Sequence, residues 1–186
     1  MIQNKPIADP KAEVRWYVMR AYKNESKAEE KLSGEYGLPY FIPKIEVERT
    51  YHGKKSKRLI PAIPSIIFVK ASRQQIADFK TRCPFLQYVM WKKSTGYEYM
   101  IVPDHEMENF IRVATHATEP ATYYAQGKLD LKKGTRIRIK SGPLEGTQGY
   151  FIKVQGVRNR QFVVNLDGIV AASIKVNPED VAPLEE

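Results

Sequence analysis

Five cationic side chains fall within ten residues, Arg49, Lys54, Lys55, Lys57 and Arg58, with Tyr51 and His52 among them. This set suits a nucleic-acid backbone. Lys and Arg neutralise phosphates and release counterions, and an exposed aromatic ring stacks on a base without reading its identity. A plain solvated hairpin would carry the same residues. No other grouping supports chemistry. Cys83 is the only cysteine and directly precedes Pro84, with no His/Asp constellation to activate it. One cysteine also excludes an intrachain disulfide and a Cys-based zinc site. His52, His105 and His116 lack metal-ligand spacing, Glu106 and Glu108 read as solvated helix charge, and no glycine-rich phosphate loop occurs. The expectation is a binding protein, not an enzyme, with no cofactor and no metal.

The bulk composition agrees. The chain has 186 residues with a formal net charge of +9, and 42% are hydrophobic, enough for a real core and for an anionic partner. Residues 1–127 hold 20 basic and 14 acidic side chains, so most of the excess lies in the front part. Met1 to Val14 contains no apolar run, and the longest apolar stretch, Ile60 to Val69, carries two prolines and is too short to span a bilayer. A cytoplasmic protein with no membrane contact, acting as a monomer, is expected.

The elements that must position the basic cluster follow from periodicity. Residues 1–13 read as a loose tail. Val14 to Tyr22 is rich in β-formers and reads as a strand. Asn24 is placed to cap a helix carrying Ala28, Leu32 and Tyr36, which stops at Gly37 and Pro39. Tyr40 to Tyr51 and Leu59 to Val69 flank a polar, Gly-containing tip, the pattern of a long hairpin, with Ser65 to Val69 as an inner strand. Ser72 and Gln75 have capping-box spacing ahead of Ile76 and Phe79. Phe85 to Trp91 and Tyr97 to Val102 form another hairpin. A third helix begins at Pro103-Asp104, with an apolar stripe of Met107, Phe110, Ile111 and Ala114. An α+β unit over 14–116, with an antiparallel sheet and helices, is expected. Residues 117–127 read as a linker. Short β runs separated by glycine-rich turns over 128–186, with a final pairing near Val181, predict a small SH3-like β-barrel.

The segment Lys132 to Lys153 has the sharpest local pattern. Ile137 and Ile139 alternate with Arg136 and Arg138, Gly142-Pro143 makes a turn, and Gly146 and Gly149 follow at fixed spacing. It closely resembles the KOW motif, which occurs both in ribosomal proteins and in transcription elongation factors. The front part separates these classes. Trp16-Tyr17-Val18, the run Ile63-Pro64-Ser65-Ile66-Ile67-Phe68-Val69, Pro84 to Trp91 and a final helix ahead of the barrel follow the order of the NusG family of transcription elongation factors. The resemblance spans about Val14 to Val181 and departs from the family where Ile63 and Ile66 stand in place of frequent aromatics.

What the resemblance implies is an NGN-like front domain that binds RNA polymerase. Its contact with the clamp helices of the largest subunit would use an apolar sheet patch of Val18, Ile63, Ile66, Phe68 and Trp91. The segment Asp78 to Arg82, with Lys80, Thr81 and Arg82, would face the gate loop of the other large subunit. The barrel would recruit a further partner such as termination factor Rho or a small-subunit ribosomal protein. The basic hairpin would reach upstream or non-template DNA. The long basic hairpin and the Tyr- and Lys-rich style are similar to UpxY-type antiterminators of polysaccharide-synthesis operons. A ribosome-associated RNA-binding KOW protein is the alternative.

Overall fold

The computed structural model describes residues 12–52 and 54–184. The expected tail over 1–13 therefore lies almost wholly outside the described residues. The fold is α+β, and the chain separates into two compact units, Met1–Ile42 with Pro64–Pro103, and Pro43–Ile63 with Asp104–Glu186.

The first unit is built on β1 (Arg15–Arg20), followed by α1 (Glu25–Ser33) and the short β2 (Tyr40–Phe41). After the intervening hairpin strands β3 (Lys44–Tyr51) and β4 (Lys54–Pro61) come β5 (Ile66–Ala71), α2 (Arg73–Arg82), β6 (Gln87–Tyr88), β7 (Met90–Lys93), β8 (Gly96–Tyr99) and β9 (Ile101–Val102). The sheet has the order β2-β5-β1-β6, with β9 also pairing with β1, all antiparallel. Strand alternation gives it two apolar faces. On one, Tyr17, Met19, Ile67 and Val69 pack with Ala28 and Leu32 of α1 and with Ile76 and Phe79 of α2. Tyr36 lies beyond the end of α1, yet its ring stands edge-on to Phe79 at 4.8 Å. The capping box at Ser72 and Gln75 forms as the sequence predicts, with both reciprocal hydrogen bonds present. Asn24 does not cap α1. Its amide donates to the Tyr22 carbonyl at 3.2 Å, and the Glu25 carboxylate instead accepts from the Ser65 amide at 2.6 Å. The loop at Tyr22 and Lys23 runs through positive φ, which draws the backbone away from the capping geometry.

The second unit contains α3 (Asp104–His116), β10 (Thr122–Ala125), β11 (Thr135–Ile139), β12 (Gln148–Lys153), β13 (Arg160–Leu166), β14 (Val170–Ile174) and β15 (Val181–Pro183). The six strands form one antiparallel sheet of order β10-β14-β13-β12-β11-β15. Two expectations are corrected here. Residues 117–127 are not all linker, because Thr122 to Ala125 pair with β14. The apolar strip Tyr123-Tyr124 has a sheet edge to bury against, and that outweighs the loop-like composition around it. The third helix, expected to close the front unit, packs against β13 and β14. Its buried Met107, Phe110 and Val113 supply the cover that strands buried on both faces require. Phe110 meets Tyr123 edge-on at 6.1 Å, Arg112 Nη1 donates to the Glu145 carbonyl at 3.0 Å, and the Gln148 amide donates to Asn109 at 3.3 Å. The other face holds Ile152, Val154, Val163 and Ala171.

The glycine turn behaves as its pattern requires. Gly142 and Gly146 have φ of 81° and 82°. Gly149 is needed for close approach, since a Cβ there would sit 2.4 Å from the Val163 carbonyl and under 3 Å from the Phe162 ring. Ile137 and Ile139 are buried while Arg136 and Arg138 are exposed.

Gly149→Ala should therefore destabilise the chain by about 1–3 kcal/mol, the usual range for overpacking, read as a lowered denaturant midpoint. A second expectation concerns Glu106, whose carboxyl is pushed above the usual range by burial and by Asp167. A raised folded-state value means its contribution is present below the unfolded value and lost as pH rises through the folded one. Glu106→Gln should raise the melting temperature at pH 7, with the difference vanishing in acid.

Candidate nucleic-acid interface

The basic cluster sits on an ordered ribbon. Strand β4 begins at Lys54, so Lys54, Lys55, Lys57 and Arg58, expected in a polar tip over 52–58, are strand residues. Gly53 lies outside the described residues, and His52 adopts a φ of 47°. The pairing runs without interruption from Tyr51 opposite Lys54 to Lys44 opposite Pro61. Cross-strand pairing of polar, β-compatible side chains holds these residues in register, although most are fully exposed.

Register sorts the charges between two faces, because opposed residues and residues two apart share a face. One face carries Glu46, Glu48, Lys55 and Lys57, and there the Lys57 and Glu46 side chains pair at 2.7 Å and the Lys55 and Glu48 side chains at 2.9 Å. The hydrogen bond to Glu46 and its charge raise the Lys57 ammonium above its ordinary value. The other face carries Arg49, Tyr51, Lys54 and Arg58. Tyr51 is 74% exposed, with its ring edge-on to His52 at 4.2 Å.

The apolar set inferred from the resemblance is placed differently from expectation. Val18, Ile66 and Phe68 share the sheet face opposite α1 and α2, as alternation predicts, but they are not exposed: Val18 and Phe68 are fully buried and Ile66 is 7% exposed. Both faces of this sheet carry apolar side chains, and both are withdrawn from water. Ile63 and Trp91 are half-buried.

Lys80, Thr81 and Arg82 share the last turn of α2, and each has a partner within the first unit. Lys80 lies 4.8 Å from the Tyr88 ring centroid, Thr81 donates to the Asp78 carbonyl at 2.6 Å, and Arg82 pairs with Glu35 beside the Tyr36 ring. Sequence reading missed the cluster next to them. Tyr17, Tyr88 and Tyr99 form mutual ring contacts, the Arg73 guanidinium lies 4.7 Å above Tyr99, and burial pushes Tyr88 up to about 12. The three tyrosines come from β1, β6 and β8, so only the fold brings them together.

Cys83 is buried, and burial raises its thiol, which leaves it unsuited to act as a nucleophile at neutral pH. Among the described residues no group of three or more His, Cys, Asp or Glu is placed to hold a metal ion, and no helix is long and apolar enough to cross a membrane.

A protein-family model described as "Transcription termination factor nusG" matches residues 14–111. No curated protein matches the chain. Among solved structures, the one titled "Domain interaction in Thermotoga maritima NusG" is similar at 21% identity, covering 93% of this chain and 98% of that one, with a TM-score of 0.45.

The burial of the sheet face yields a test. Ile66→Asp and Ile67→Asp each place a charge in a desolvated position on opposite faces, so both should cost about 3 kcal/mol or more. Thermal melts followed by circular dichroism check this. An Ile66→Asp variant as stable as the parent would return Ile66 to an open surface.

Proposed function

This chain belongs to the NusG family of transcription elongation and termination factors, which bind RNA polymerase and perform no chemistry of their own, and from that premise we propose that it is an antitermination factor working on a restricted set of operons. The observation that carries the reading is the family match over 14–111, which runs from the residue before β1 into α3 and includes the basic hairpin. Residues 14–116 would form the polymerase-binding part and 128–186 the partner-recruiting part. The basic hairpin, with formal charges of six cations and two anions over 44–61, supports contact with upstream or non-template DNA in the elongation complex. Such a factor would suppress pausing and termination by holding the polymerase clamp closed, acting as a cytoplasmic monomer. Its long hairpin favours a specialised role of the UpxY type, on a polysaccharide-synthesis operon, over a housekeeping one.

On this reading the clamp helices of the largest polymerase subunit meet the sheet face of Val18, Ile63, Ile66, Phe68 and Trp91. Ile63 and Trp91 are the accessible members, and contact with the buried three requires that face to be uncovered. Lys80, Thr81 and Arg82 would turn toward the gate loop. The KOW-type unit would recruit Rho or a small-subunit ribosomal protein.

The test is retention of core RNA polymerase by the immobilised full chain, with a clamp-helix fragment as competitor. Trp91→Ala should weaken binding by about 2 kcal/mol, the scale of an interface hot spot, without lowering the melting temperature appreciably. Retention of ribosomal RNA but not polymerase would favour the ribosome-associated alternative and sink the proposal.

A further inference from the structure

We propose that only one face of the β3–β4 hairpin is a nucleic-acid track, and that it takes a single strand, with Arg58, Arg49 and Lys54 as successive phosphate contacts and Tyr51 as the stacking platform at the tip. This rests on the reading that the hairpin touches nucleic acid, and goes beyond it by assigning the face and the form of the ligand.

Three observations support the assignment. The first is charge partition. Lys55 and Lys57 are neutralised by Glu48 and Glu46 on one face, whereas Arg49, Lys54 and Arg58 have no carboxylate partner among the described residues. A phosphate approaching the first face meets two lysines already paired and two carboxylates that repel it. The second face offers three cations and no anion.

The second observation is spacing. Arg58 stands opposite Val47, Arg49 opposite Ser56, and Lys54 opposite Tyr51. Along the ribbon these levels are two residues apart, which at the antiparallel rise is about 6.8 Å per step. That is close to the separation of neighbouring phosphates along one strand, so each cation can serve one phosphate in turn. The cations come alternately from β4, β3 and β4, and the line they make follows the ribbon axis instead of crossing it.

The third is the aromatic. Tyr51 is among the most exposed of the large hydrophobic side chains, and it lies on the cationic face at the same level as Lys54. An exposed ring next to a phosphate-binding cation matches how unpaired strands are held, by charge on the backbone and by stacking on a free base. A duplex has no free base face to offer such a ring.

The test uses the full chain and fluorescence anisotropy with labelled oligo-dT, oligo-rU and a duplex of equal length, over a salt series. Circular dichroism confirms that each variant is folded. Removing the track with Arg49→Ala, Lys54→Ala and Arg58→Ala together should reduce the slope of log affinity against log salt by about 2, given roughly 0.7 per phosphate contact on single strands. Lys55→Ala with Lys57→Ala should leave the slope nearly unchanged. Tyr51→Ala should weaken single-strand binding by about 5- to 150-fold, the span of one lost stacking contact, with the slope retained. Binding of either single strand with this pattern supports the proposal, and the tighter of the two identifies the strand as DNA or RNA. Equal loss of slope from both sets of variants overturns the one-sided track while leaving the hairpin a nucleic-acid contact. Tighter binding of the duplex overturns the single-strand assignment. No change of slope in any variant overturns the underlying reading as well.

Discussion

Trp16 to Met19 and Ile66 to Val69 are buried on every side chain, and they are paired strand to strand. Burial on both faces of a two-strand core is the constraint from which most of the molecule follows. One face is satisfied by α1 and α2, whose stripes are narrow because each helix contributes only two buried residues. The other face, with Val18, Ile66 and Phe68, is desolvated as well. An apolar face exposed to water costs roughly 25 cal/mol for each Å² left uncovered, so a sheet of this composition cannot leave it open cheaply.

The second unit solves the same problem in a different way. Strands β13 and β14 carry buried residues at nearly every position, and α3 lies over one of their faces while Leu129, Leu131 and Val157 pack against the cluster on the other. The amphipathic stripe of α3 therefore works as part of this unit's core. The polar ties along its length, from Arg112 to the Glu145 carbonyl and from the Gln148 amide to Asn109, fix the helix over the glycine turn and the start of β12. The hairpin is ordered in a different way. Its strands bury little, and its order comes from backbone pairing and cross-strand charge, which suits a surface that meets a polyanion.

Much of this was legible in the chain. Period-two and helical patterning placed the strands and helices of the first unit, with bounds that shift by a few residues and two expected strands each broken in two. The capping box at Ser72 and Gln75 is a local device and formed as its spacing required. The Gly142-Pro143 turn and the close approach at Gly149 were likewise written in residue type, since few alternatives fit a positive φ or a 2.4 Å gap. Cap choice at Asn24 failed because the loop before it runs through positive φ and its side-chain amide bonds the Tyr22 carbonyl instead. Residues 122–125 looked like linker because small and polar neighbours hid two tyrosines that need a sheet edge.

The sequence by itself determined the element types and the basic cluster, because each depends on residue identity and short-range spacing. It also carried the family, through motifs distributed along the chain. Tertiary structure alone decided which residue each hairpin cation opposes, and hence that Glu46 and Glu48 quench two of the lysines and leave Arg49, Lys54 and Arg58 without a carboxylate partner among the described residues. It alone decided that the helix after Pro103 serves the second unit and that Val18, Ile66 and Phe68 are buried. The reason is common to all three. Composition fixes how much apolar surface and charge a segment carries, but the partner that covers or neutralises it is chosen by contacts between segments distant in sequence, and those exist only once the chain has folded.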